Sequence, residues 1–113
     1  LITFLTAKPQ ALKNAFDKAI KDGHITTWAD DGDGWYSHKA PNWKGKAFLA
    51  PSIDTAVALK FKILIMDSVK ISDRRVVYSY YHGHLIETFI NHFSSMCDVG
   101  QATLNPSGSD SKV

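Results

Sequence analysis

Between Ala56 and Met66 the chain alternates. Val57, Leu59, Phe61, Ile63 and Ile65 form one set, and Lys60 and Lys62 fall in the other. A period of two belongs to a strand with one buried side, so the first set is predicted to face a core. Residues Ile2 to Ala7 read as an earlier strand, after which Pro9 opens a helix at its first position. Leu12, Ala15, Phe16, Ala19 and Ile20 recur there at helical spacing, with Lys13, Asp17, Lys18 and Lys21 elsewhere. Gly23 suits the position just past the end, which places the helix over about residues 9–22. His24–Ala29, Trp35–His38 and Trp43–Ala50 are strand-like, the last ended by Pro51. Ser72 is the expected N-cap of a second helix, "DRRVVYSYYHGHLIETFINHF", reaching Phe93. "SSMCDVGQATL" supplies a last short strand, weakened or bulged at Gly100.

Taken in the order β-α-β-β-β-α-β, in which not every strand-like segment stands as a separate strand, these elements predict an α+β fold. Its sheet is mainly antiparallel and four- or five-stranded, with two helices on one face. The domain spans residues 1–104. The closing "NPSGSDSKV", residues 105–113, is small and polar and reads as a flexible tail.

The second helix carries more apolar surface than one sheet face needs. At 100° per residue, Tyr78, Tyr81, Leu85, Ile86, Phe89, Ile90 and Phe93 cover about half its circumference, while His84, Glu87, Thr88 and Asn91 share a polar face. Gly83 costs about 1 kcal/mol relative to Ala inside a helix, which a close helix contact would explain. A chain of 113 residues has a modest core and gains from association. A homodimer is therefore expected, with Tyr78, Tyr81, Gly83, Ile86 and Ile90 as candidate interface residues.

The one cysteine, Cys97, excludes an intramolecular disulfide and a Cys-based zinc cluster, and fits a reducing, cytoplasmic setting. The longest apolar run, "ILIM", is far short of a membrane span. The opening "LITFLTAKPQ" lacks the basic region of a signal peptide. No glycine-rich phosphate loop and no "GxSxG" elbow occurs, so no cofactor is expected.

The stretch "TTWADDGDGWYSH" is the densest in candidate chemistry. It fails as an EF-hand: counting from Asp31 puts Trp35 and Tyr36 where an oxygen ligand and a glycine belong. As a hairpin turn, Asp31-Gly32 or the loop Asp30–Asp33 sets Trp28 opposite Trp35, and a cross-strand Trp pair would fix the register. The catalytic alternative is a metal-assisted hydrolase using Asp30, Asp31 and Asp33 with His38. Trp28, Trp35, Trp43 and His38 are the candidate ligand-binding residues. On the second helix His84 and Glu87 share a face, but a helical zinc pair wants two histidines four apart, so no metal site is assigned. His82 lies within the apolar arc and is expected to be a hydrogen-bonded core histidine.

Lys44, Lys46, Lys60 and Lys62 would line one sheet face around Phe48 if their strands were neighbours, a surface suited to single-stranded nucleic acid. A net charge of +2 is too weak to favour that reading over a solvated outer face.

The combination "WADDGDGWYSHKAPNW" followed by "YHGHLIETFINHF" resembles small bacterial proteins of unknown function carried in mobile gene cassettes. The resemblance spans roughly residues 24–93 and implies an uncharacterised bacterial domain, with no activity, cofactor or site residue attached. No set of residues supplies a nucleophile, a base and an orienting group together. The sequence therefore points to a non-enzymatic binding or interaction module acting as a homo-oligomer.

Overall fold

The computed structural model describes residues 1–113. In chain order its elements are β1 (Ile2–Leu5), α1 (Pro9–Lys21), β2 (Trp28–Asp30), β3 (Tyr36–His38), β4 (Ala47–Thr55), β5 (Ala58–Ile65), α2 (Arg74–Phe93) and β6 (Val99–Ala102). All pairings are antiparallel, and the six strands lie in the order β2-β3-β4-β5-β1-β6. The fold is α+β, with six strands where four or five were expected: each of the six strand-like segments, both arms of the acidic hairpin included, pairs into the sheet.

The alternation on β5 behaves as its period dictates. Leu59, Phe61, Ile63 and Ile65 are buried, while Lys60, Lys62 and Leu64 between them are half-buried on the other face. Val57 departs from the pattern; it lies in the β4–β5 turn and is 61% exposed. Both helices cover one side of the sheet. Phe16 of α1 and Phe89 of α2 each meet Phe61 edge-on, with ring centroids 6.0 Å apart in both cases. Phe4 of β1 completes this aromatic centre, stacked on Phe89 at 3.9 Å.

Three local expectations change. Pro51 does not end a strand; it sits within β4, opposite Phe61. A proline in a sheet must turn its missing donor to an unpaired side. Here β3 pairs with β4 only through Tyr36 and Leu49, so the edge of β4 is already free at Pro51. Ser72 is not a cap: it lies in a 3-10 turn, Ile71–Asp73, that leads into α2. Residues 105–113, read from composition as a flexible tail, run back beside β5, where β1 has stopped. Ser111 N–H donates to Ile63 O (2.9 Å), and the buried Asp110 carboxylate accepts from Ile63 N–H (2.9 Å).

Candidate functional site

The acidic tip is a turn built from its own carboxylates. Asp30 Oδ1 accepts from the N–H groups of Gly32 (2.8 Å) and Gly34 (3.3 Å), and Asp31 Oδ1 from those of Asp33 (2.8 Å) and Trp35 (3.2 Å). The expected register is corrected: Trp28 lies opposite His38, not Trp35, and Asp30 lies opposite Tyr36. A two-residue turn of the hairpin type needs positive φ at Asp31 as well as Gly32. Only glycines take positive φ in this chain, Gly32 at 94° and Gly34 at 84° among them. The loop therefore widens to Asp31–Trp35, closed by Asp31 N–H donating to Trp35 O (2.8 Å). Trp35 ends on the other sheet face, beside Phe48.

His38 is buried at the opposite end of the hairpin from the three aspartates. No three His, Cys, Asp or Glu side chains converge anywhere in the protein in an arrangement able to hold a metal ion. What His38 meets instead is His84 of α2, with Nε2 to Nδ1 at 3.2 Å. Ala40 N–H donates to the other nitrogen of His38, Nδ1 (3.0 Å). That bond occupies the Nδ1 lone pair, so the neutral ring carries its proton on Nε2 and donates it to His84. The spacing alone suits two nitrogens on one zinc ion, but a ligand nitrogen must be unprotonated, and the Ala40 bond sets the opposite tautomer. Burial, and after it the nearby His84, hold His38 below the ordinary histidine pKa.

The remaining aromatics pack around this pair. Trp28 donates Nε1–H to Thr88 Oγ1 (2.9 Å) and meets His38 edge-on. Trp43 stacks on Tyr80 at 3.8 Å, and Tyr80 on His84 at 4.0 Å. Tyr81 donates its hydroxyl proton to Trp43 O (2.5 Å). Three of the four ligand-binding candidates, Trp28, Trp43 and His38, thus come together as a filled aromatic cluster, and Trp35 does not join them. Ser37, beside His38 in sequence, donates Oγ–H to Ala47 O and accepts from Gly45 N–H, so it serves the turn and not the histidine.

His82 is buried, as its place in the apolar arc predicts. Its Nδ1–H donates to Tyr78 O (2.7 Å), and Nε2 lies 2.9 Å from the Leu1 nitrogen. Burial pushes it down to about 4. The four lysines do not form one row. Lys60 and Lys62 lie on β5, but Lys44 and Lys46 sit in the turn before β4, where the Lys46 ammonium rests over the Trp43 ring.

The interface candidates divide. Tyr78 and Tyr81 are buried against the chain's own sheet. Gly83 is exposed, and a Cβ there would meet nothing within 4 Å, so no contact within the chain explains it. Ile86 is half-buried and Ile90 is 65% exposed. These two isoleucines rim an apolar cavity of about 410 Å³ between α2 and β6. Its floor is the Phe4–Phe89 stack, and Val99, Gly100, Asp98 and Cys97 close the β6 side. Gly100 admits the floor: a Cβ there would lie 2.7 Å from Phe4 Cε1. Beyond the cavity runs the outer edge of β6, which ends the sheet.

Sequence reasoning found Ile86 and Ile90 but not Phe4, Asp98, Val99 or Gly100. A signal was present. Val99–Ala102 carries no charge and no proline, the usual protections of an edge strand. No helix is long and apolar enough to cross a membrane. Comparison with known protein families, curated proteins and solved structures finds no match for this chain.

Proposed function

We propose that the protein is a non-enzymatic interaction module that acts as a homo-oligomer and docks through the face formed by α2 and β6. One observation carries this reading: an apolar cavity with exposed Ile90 and Val99 at its rim lies directly beside an unprotected strand edge. Apolar rims of this kind mark docking surfaces, and a free edge offers main-chain hydrogen bonds next to them. The polar clusters support the non-enzymatic half. His38 is engaged by Ala40 and His84, Ser37 by backbone groups, and the tip carboxylates by their own loop. No nucleophile faces a base.

Sedimentation velocity from low to high micromolar protein tests it. The wild-type chain is expected to associate. Ile90→Lys, which alters an already exposed side chain, is expected to be monomeric, with a melting temperature equal to that of the wild-type chain at dilutions where that chain is monomeric too. A wild-type chain that stays monomeric throughout overturns the proposal.

A further inference from the structure

We infer that the occupant of the α2–β6 face is a second copy of this chain, with β6 pairing antiparallel to itself about a two-fold axis at Gln101. This inference rests on the docking reading above and gives it a partner and a register.

The main chain fixes which groups are free. Thr103 N–H donates to Leu1 O (2.9 Å), so Thr103 and Leu1 form a hydrogen-bonded pair of the β1–β6 ladder. Such pairs alternate along an antiparallel ladder. The register of Thr3 with Gln101 and Leu5 with Val99 then turns the polar groups of Val99, Gln101 and Thr103 toward β1. Those of Gly100 and Ala102 point away from the sheet, where no strand follows. With the axis at Gln101, Gly100 of one copy faces Ala102 of the other and each exchanges N–H···O bonds with it. The two Gln101 residues form the closer, non-hydrogen-bonded pair on the axis.

The side chains favour this pairing. The strand is neutral, but its ends differ in charge. Asp98 stands at one end, and at the other the Arg75 guanidinium reaches Leu104 O (3.4 Å) and Asn105 Oδ1 (3.3 Å). In the Gln101 register Asp98 of each copy lies opposite the partner copy's Leu104, and so beside the partner copy's Arg75. Self-pairing thus joins unlike charges at both ends, as an isologous contact must to be self-complementary. The same register carries Leu104, 85% exposed in the single chain, to the cavity end lined by Asp98 and Ile90 of the other copy. An edge that is uncharged, apolar on its helix side and charged oppositely at its two ends fits its own inverted image.

The test uses a disulfide and a charge swap. Gln101→Cys in a Cys97→Ser background is expected to oxidise to a covalent dimer well ahead of Ser52→Cys in the same background, because facing non-hydrogen-bonded positions lie within disulfide reach. Asp98→Arg and Arg75→Asp, each alone, are expected to weaken dimerisation about tenfold, and the double variant to restore most of it. Circular dichroism melting of every variant at low concentration confirms a folded monomer. A dimer that is lost in Ile90→Lys but gives no preferential Gln101→Cys cross-link overturns the register while sparing the docking face. A wild-type chain monomeric at high micromolar concentration overturns both.

Discussion

His38 and His84 meet nitrogen to nitrogen at 3.2 Å, and the amide of Ala40 decides which of them gives the proton. The pair therefore works as a donor and an acceptor only while both rings are neutral. Protonating His84 at Nδ1 places two N–H groups face to face, and protonating His38 at Nδ1 breaks the Ala40 bond.

Acid is expected to destabilise the protein through its buried histidines. His38 and His82 have folded pKa values lowered below the ordinary 6.5, His82 to about 4. A base with a depressed folded pKa contributes stability above its unfolded value and loses it as pH falls from there toward the folded value. The contribution of His82 is about 3 kcal/mol, present above pH 6.5 and lost progressively toward pH 4. Thermal melts between pH 7.5 and 4.5 check this. His82→Phe, which keeps a ring against Tyr78, is expected to flatten the pH dependence; an equally steep variant would place the effect elsewhere.

At the acidic tip the turn, more than the charge, is expected to matter. Gly32→Val and Gly34→Val force a β-branched residue to φ near 90°, costing about 1–2 kcal/mol each. Asp30→Asn keeps an Oδ1 acceptor for Gly32 and Gly34 and is expected to be near neutral, whereas Asp30→Ala strands both amides and costs about 1 kcal/mol. Denaturant melts rank the four. Asn and Ala variants of equal stability would remove the role assigned to the carboxylate oxygen.

Thr88→Val leaves the buried indole N–H of Trp28 without its acceptor and is expected to cost about 1–3 kcal/mol. A shift in Trp fluorescence should accompany the loss. Equal stability and unchanged emission would mean the indole finds another partner.

Gly100→Ala sets a methyl against a ring that Phe61 and Phe89 already hold, and is expected to destabilise the monomer by about 1–3 kcal/mol. Phe4→Leu with Gly100→Ala should recover part of the loss, a coupling that a double-mutant cycle measures. Additive effects would show that the two residues do not compete for that space.

The helices and β5 were legible in the sequence because each is a periodic pattern resolved within its own span. Pro9, the Leu12–Phe16 stripe and the β5 alternation needed no distant partner to interpret. The misread places depend on a neighbour. Pro51 is tolerated in β4 only because β3 stops short, Trp28 faces His38 only because two glycines widen the loop, and the tail is placed by Asp110, one residue in a polar run. The docking face was half legible for the same reason. Ile86 and Ile90 stand out on a helix, but that β6 closes the sheet is a property of strand order.

Strand order also sets the tempo of assembly. β4 and β5 are joined by a tight hairpin, so their pairing closes a short loop and can form early. β1 lies between β5 and β6, and its partners are half a chain and nearly a whole chain away. Closing those long loops forfeits chain entropy before any contact repays it. The apolar groove and bare edge beside β6 therefore depend on the pairing with the longest loop in the sheet, the one that joins the two ends of the sequence.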